Sequence, residues 1–188
     1  MEFVDPIKDV NKINEIKEVL KKQSQRDLLF FVFGINTGLK VSDLLSLRVE
    51  DVWDESGMKD FLYINDITSG EVKAFYLNNM IKNELTDYLR SQEEYEGSDF
   101  LFKSKKDNLP ISRQQAYRII NHAAKEVGVS GKVGTHTLRK TFGYHAYLKG
   151  IAISILMDIY NHHSPSETFK YIGINNEEKQ LVKVDVNL

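Results

Sequence analysis

Eight consecutive residues, Leu28 to Ile35 (LLFFVFGI), carry no polar side chain. A helix through residues 25–36 is therefore apolar on almost every side, and only burial by surrounding elements accommodates it. Spanning a bilayer takes about 20 apolar residues, so this stretch is too short for a membrane helix. Asn36-Thr37-Gly38 supplies its stop. The chain must wrap amphipathic elements around one central helix, and 188 residues suffice for a single such core.

The flanking segments supply those elements. Ile13, Ile16, Val19 and Leu20 recur at helical spacing and predict a helix over 8–22. VSDLLSL predicts a short helix, and WDESGMKD a polar turn. LYINDI and VKAFYL alternate partially around Thr68-Ser69-Gly70-Glu71, which predicts a β-hairpin. Asn78 can cap a helix to about Arg90 that buries Ile81, Leu85, Tyr88 and Leu89. Ser112 and Gln115 form a capping box for RQQAYRIINHAAKEVG, with Gly128 as its stop. Thr135 can cap a helix over 136–148. Two short helices follow at 153–160 and 165–172. The fold class is mainly α with a small antiparallel β-sheet (α+β), in one domain over 1–174 with a tail at 175–188.

Charge is unevenly spread. The net charge is only −2, yet residues 103–149 hold ten basic side chains against two acidic, while 50–99 hold thirteen acidic against four basic. This asymmetry predicts a basic face suited to a polyanion. With no cysteine, disulfides and cysteine-based zinc sites are excluded. The start MEFVDPIKDVNK has no apolar signal core, so a cytoplasmic location is expected.

Four residues in the last third carry chemistry. His136 and Arg139 in THTLRK are three apart and share one helix face. An arginine fork fits two phosphate oxygens, and a neighbouring histidine can donate to phosphate or move a proton near neutral pH. His162 lies in YNHHSPSETFKY, and Tyr171 stands at the end of that run. A phenol with a pKa near 10 needs a base or a strong positive potential before it can attack. His162-His163 lacks a carboxylate or cysteine at ligand spacing, so no metal site is expected.

The stretch from Gly34 to Ile174 resembles the catalytic domain of the tyrosine recombinases, the phage-integrase family. GINTGLKVSDLLSLRVEDV is similar to that family's first box, GTHTLRKTFGYHAYLKG to its second and NHHSPSETFKYIGI to its third. The type-IB topoisomerases share this chemistry on a similar fold and stand as an alternative family. The resemblance implies strand exchange without metal or ATP. Tyr171 would attack a backbone phosphate, forming a 3′-phosphotyrosyl link and freeing a 5′-hydroxyl. Arg139 would hold the non-bridging oxygens, His136 would act in proton transfer and His162 would bond the phosphate or orient the site. The resemblance further implies double-stranded DNA as partner, four protomers acting on two duplexes, a monomer or weak dimer without DNA, and a bacterial or phage-encoded, nucleoid-associated protein.

This chain departs from the pattern at several positions. Lys40 stands where the family has a second phosphate-clamping arginine, which keeps charge but loses the fork. Thr68 stands where the family uses a hairpin lysine as general acid, and Lys73 is the nearest lysine. Lys140 replaces a second histidine and Asn161 a glycine. Arg113, Gln114, Arg118 and Lys140 are the candidate DNA-contacting side chains. No N-terminal core-binding domain is expected before the catalytic domain. The tail, with Leu181, Val182, Val184 and Val186 near its end, would dock on a neighbouring protomer or fold back on its own core. Two functional readings remain: an active recombinase weakened at Lys40 and Thr68, or a catalytically degenerate integrase-derived module that binds DNA or a partner.

Overall fold

A computed structural model of the chain describes residues 3–180. The helices are α1 (Val10–Gln23), α2 (Gln25–Thr37), α3 (Val41–Ser46), α4 (Val49–Val52), α5 (Asn79–Arg90), α6 (Arg113–Glu126), α7 (Thr135–Leu148), α8 (Ile153–Tyr160) and α9 (Pro165–Ile172). Strands β1 (Trp53–Asp54) and β2 (Gly57–Met58) form one antiparallel pair, and β3 (Phe61–Asn65) and β4 (Val72–Tyr76) another. The expected tail residues Leu181, Val182, Val184 and Val186 lie outside the described residues. None of the described helices is long and apolar enough to cross a membrane.

Helix α2 occupies the centre. Leu28 through Phe33 are each 0–1% exposed. At about 1.5–3 kcal/mol for each fully buried large apolar side chain, this run alone is a major part of the driving force for folding. It packs on α1, α5 and α7, and Phe30 and Phe33 meet Phe102 edge-on at 5.2 and 6.2 Å. Gly34 lets α7 come close: a Cβ there would lie 2.6 Å from Leu138 Cδ1. That contact fixes α7 at the residue immediately before Arg139.

Local chemistry sets the element ends. Ser24 accepts from the Asp27 amide at 3.3 Å and separates α1 from α2. Asn78 caps α5, and Ser112 with Gln115 closes a capping box on α6. Helix α7 differs from the sequence expectation. Thr135 is its first helical residue, Gly134 holds the cap position, and the Thr137 hydroxyl accepts from the Gly134 amide at 3.0 Å. The WDESGMKD turn also differs, because it closes the short β1–β2 ladder; Gly57, at φ 109°, supplies a backbone conformation other residues resist.

The β3–β4 register pairs Leu62 with Phe75 on the buried side, and Phe61 with Tyr76 on the exposed side. A second, smaller core gathers Tyr144, Leu156, Tyr160, Ile172 and Ile174 where α7, α8 and α9 meet, with Phe169 and Tyr171 packed against it.

Candidate active site

Arg139 sits mid-helix on α7 and is only 7% exposed. Its Nη1 donates to the Gly38 carbonyl, and its Nη2 to the Ile159 carbonyl at 2.9 Å. Both acceptors belong to helix C-termini, of α2 and α8, where carbonyls lack intrahelical partners and the macrodipole favours a cation. Gly38, left-handed at φ 69°, turns the chain so that its carbonyl meets the guanidinium. The Tyr160 ring lies 4.6 Å from Cζ and completes the seat. A guanidinium carries five N–H donors, so further donors remain for an anion.

Tyr171 projects from α9 onto the small core. Its ring centroid is 5.0 Å from Tyr160 and 5.1 Å from His162, and the Lys140 ammonium lies 5.0 Å from the ring centre. Burial pushes the phenol above its ordinary value, while the adjacent Arg139 guanidinium pulls it down. The hydroxyl is therefore neutral at rest, beside the cation that favours its ionised form.

His162 directs Nδ1 to the Thr168 hydroxyl at 3.0 Å, leaving Nε2 for the cavity. Burial lowers its pKa, Glu167 opposes this, and Arg139 and His163 lower it further. His136 is lowered chiefly by burial and then by Arg113, Lys140 and Arg139. Both imidazoles are neutral near pH 7, a state in which each can accept or relay a proton.

One cavity of about 580 Å³ unites these groups; Lys40, His136, Arg139, Lys140, His162 and Tyr171 all line it. Arg113 and Lys170 bring the lining cations to five, against the single carboxylate of Glu167. Such a surface is suited to a phosphate. Lys40 caps α3, is exposed, and makes no hydrogen bond or ion pair with its ammonium among the described residues. Phe3 and Val4 form another wall, and the Val4 carbonyl accepts from the Lys140 ammonium at 2.9 Å. Arg113, Gln114, Tyr117, Arg118 and Thr135 line a shallow depression that adjoins the cavity through Arg113 and Thr135.

Two hairpin positions stand apart. Thr68 lies exposed at the β3–β4 tip, its amide donating to Asp66 Oδ1 at 2.9 Å. Lys73 is not among the cavity-lining residues. Its ammonium bonds the Asp158 carbonyl, Asn161 Oδ1 at 2.6 Å and Asp66 Oδ2 at 3.2 Å. Sequence reasoning missed Tyr160, Thr168 and Asp66. Thr168 and Tyr160 lie within or beside the third box, but nothing in their spacing distinguishes them from packing residues. The partnership of Asp66 crosses from the hairpin to the α8–α9 turn and leaves no local signal.

Residues 6–178 match the phage integrase family. The probable integrase/recombinase YoeC of Bacillus subtilis (strain 168) is 42% identical over 177 residues, covering 94% of this chain and 93% of that protein. Tyrosine recombinase XerA of Pyrococcus furiosus is 29% identical over 163 residues, 87% of this chain but only 55% of that protein. The chain thus spans about half the length of XerA and nearly all of YoeC. Among solved structures, a XerA recombinase superposes with a TM-score of 0.75 at 20% identity, over 95% of this chain and 62% of that one. A lambda integrase dimer bound to a COC′ core site superposes with a TM-score of 0.69 at 19% identity, over 100% of this chain and 65% of that one. These two likenesses concern the fold: the mainly helical tyrosine-recombinase catalytic domain with small antiparallel sheets. With a match across residues 6–178 and 42% identity to a relative covered almost end to end, the chain belongs to the phage integrase family.

Proposed function

We propose that the chain cleaves and rejoins double-stranded DNA as a tyrosine recombinase, with Tyr171 as nucleophile. The observation that carries this reading is the placement of the half-buried Tyr171 phenol against Arg139 in a cavity lined by five cations.

In the proposed reaction the Tyr171 oxygen attacks phosphorus and gives up its proton toward the cavity, where neutral His136 can take it. Negative charge grows on the non-bridging oxygens, which Arg139 receives, helped by Lys40 and by His162 through Nε2. The 5′-oxygen leaves, takes up the proton that His136 accepted or one from water, and departs as a hydroxyl. The phosphotyrosyl link keeps the phosphodiester energy, so a different 5′-hydroxyl can attack it and free Tyr171. Arg113, Gln114, Arg118 and Lys140 would hold the flanking backbone, which fixes register without reading sequence. Further copies on the same DNA are part of the same proposal; residues 175–180 lie against their own chain, with Glu178 on Lys8 and Tyr144.

The test uses a nicked suicide substrate carrying the cognate site. A covalent protein–DNA adduct that is lost in Tyr171→Phe supports the reading. A second reading, a DNA-binding module that does not cut, is favoured by the hairpin: Thr68 carries no acid, and the protons of Lys73 are already committed. Retained DNA binding with no adduct from the wild type, from Lys40→Arg or from Thr68→Lys would establish it.

A further inference from the structure

We propose that Asp66, Lys73 and Asn161 form a latch tying the β3–β4 hairpin to the turn that carries His162, and that Asp66 and Asn161 are positioning residues for strand cleavage. The cleavage part rests on the recombinase reading above; the latch itself does not.

The cluster is closed on all sides. An ammonium has three N–H donors, and Lys73 meets three acceptors: the Asp158 carbonyl, Asn161 Oδ1 and Asp66 Oδ2. The Asn161 amide nitrogen donates to Asp66 Oδ2 at 2.7 Å, and the Thr68 amide donates to Asp66 Oδ1 at 2.9 Å. The Lys73 and Asp66 side chains are 10% and 9% exposed. An ion pair this shielded is screened far less by water and salt than a surface pair, and losing one member leaves the other charge stranded.

Asn161 is the key member. Among the described residues it is the one non-glycine with a positive φ, at 57°. It ends α8 in the left-handed conformation that glycine adopts most easily. Asparagine tolerates this conformation better than most side chains, and here its amide joins two hairpin residues. Its carbonyl side accepts from Lys73 and its amino side donates to Asp66. The next residue is His162, whose ring lies against Tyr171. The hairpin is therefore linked through Asn161 to the imidazole and the phenol.

Asn161→Gly keeps the left-handed backbone without strain and removes both side-chain bonds. Asp66→Asn removes the charge at the centre. Two measurements test the proposal: amide hydrogen exchange of the free protein, and single-turnover cleavage of the nicked substrate together with DNA affinity. Both variants should speed exchange at the hairpin amides of Thr68, Gly70 and Glu71. Each should lower the cleavage rate by about tenfold to a hundredfold, as expected for a misplaced catalytic group, with the DNA Kd unchanged. The double variant should be no slower than the slower single one, because both changes break the same unit. Unchanged hairpin exchange would overturn the latch. Unchanged or faster cleavage, or additive losses, would overturn the positioning role. A wild type that forms no Tyr171-dependent adduct would refute the recombinase reading and the positioning role with it, while the exchange result still decides the latch.

Discussion

Tyr160 holds Arg139 twice over: its hydroxyl donates to the Arg139 main-chain carbonyl at 2.8 Å, and its ring lies 4.6 Å from the guanidinium carbon. One side chain at the end of α8 thus grips both the backbone and the head group of the cavity-lining arginine. Burial holds the Tyr160 hydroxyl far above the ordinary phenol range, so it stays a donor throughout the accessible pH range.

Tyr160→Phe keeps the ring and loses the bond, and should cost about 1 kcal/mol of stability with a small loss of cleavage. Tyr160→Leu also removes the ring beneath the guanidinium and should lose clearly more activity than Tyr160→Phe. Denaturant melts beside single-turnover cleavage separate the two effects. Equal activity in both variants would sink the role assigned to the ring.

Lys40 presents a free ammonium to the cavity where a planar fork would bind two phosphate oxygens. Lys40→Arg should raise the cleavage rate, and Lys40→Ala should lower it by roughly 100–1000-fold, the span usual for a lost transition-state donor. Exposure at this position makes either change nearly neutral for stability. A Lys40→Arg rate at or below wild type would remove Lys40 from the phosphate clamp.

The three sequence boxes are short and contiguous, which is why the residues singled out in them can be located from sequence. The apolar run of α2 and the caps at Asn78 and Ser112 were legible because their signals span only a few residues. What was not legible depends on distant partners. Lys73 reads from sequence as a lysine in a strand, and only folding brings it to Asp158, 85 residues away, and Asp66 to Asn161, 95 residues away. Thr135 reads as a helix cap by type, yet the Thr137 hydroxyl takes the bond from the Gly134 amide instead. Tyr160 shows only an apolar helical position; its second contact, to a main-chain carbonyl of α7, has no sequence signature.

Burial holds His136, His145 and His162 below the ordinary imidazole value. As pH falls through about 6.5 the unfolded histidines take up protons before the folded ones do, so protons favour the unfolded chain. Stability should be full above this value and decline as pH falls toward the lowered folded values. Asp43 and Glu84, raised by burial, act in the opposite sense within the carboxylate range, below the histidine window. The thermal midpoint should therefore drop between pH 7 and pH 5.5, and His145→Gln, which keeps a donor for the Ile7 carbonyl, should flatten the slope. A midpoint that holds or rises over this interval would contradict the histidine account.

Thr168 is fully buried beneath the third box, with its hydroxyl 3.0 Å from His162 Nδ1. That bond selects the ring orientation that turns Nε2 to the cavity and packs the imidazole edge-on against Tyr171 at 5.1 Å. Thr168→Val preserves shape but leaves Nδ1 facing a methyl group. The unpaired nitrogen should cost about 1–3 kcal/mol. The ring can recover only by rotating, which withdraws Nε2 from the cavity. Cleavage should fall in Thr168→Val and return in Thr168→Ser, which restores the hydroxyl while leaving a small void. The serine variant makes the test discriminating, because its packing defect destabilises the helix yet spares the bond. If activity follows stability across the two variants rather than the hydroxyl, Thr168 acts only as packing and His162 is oriented by its ring contacts.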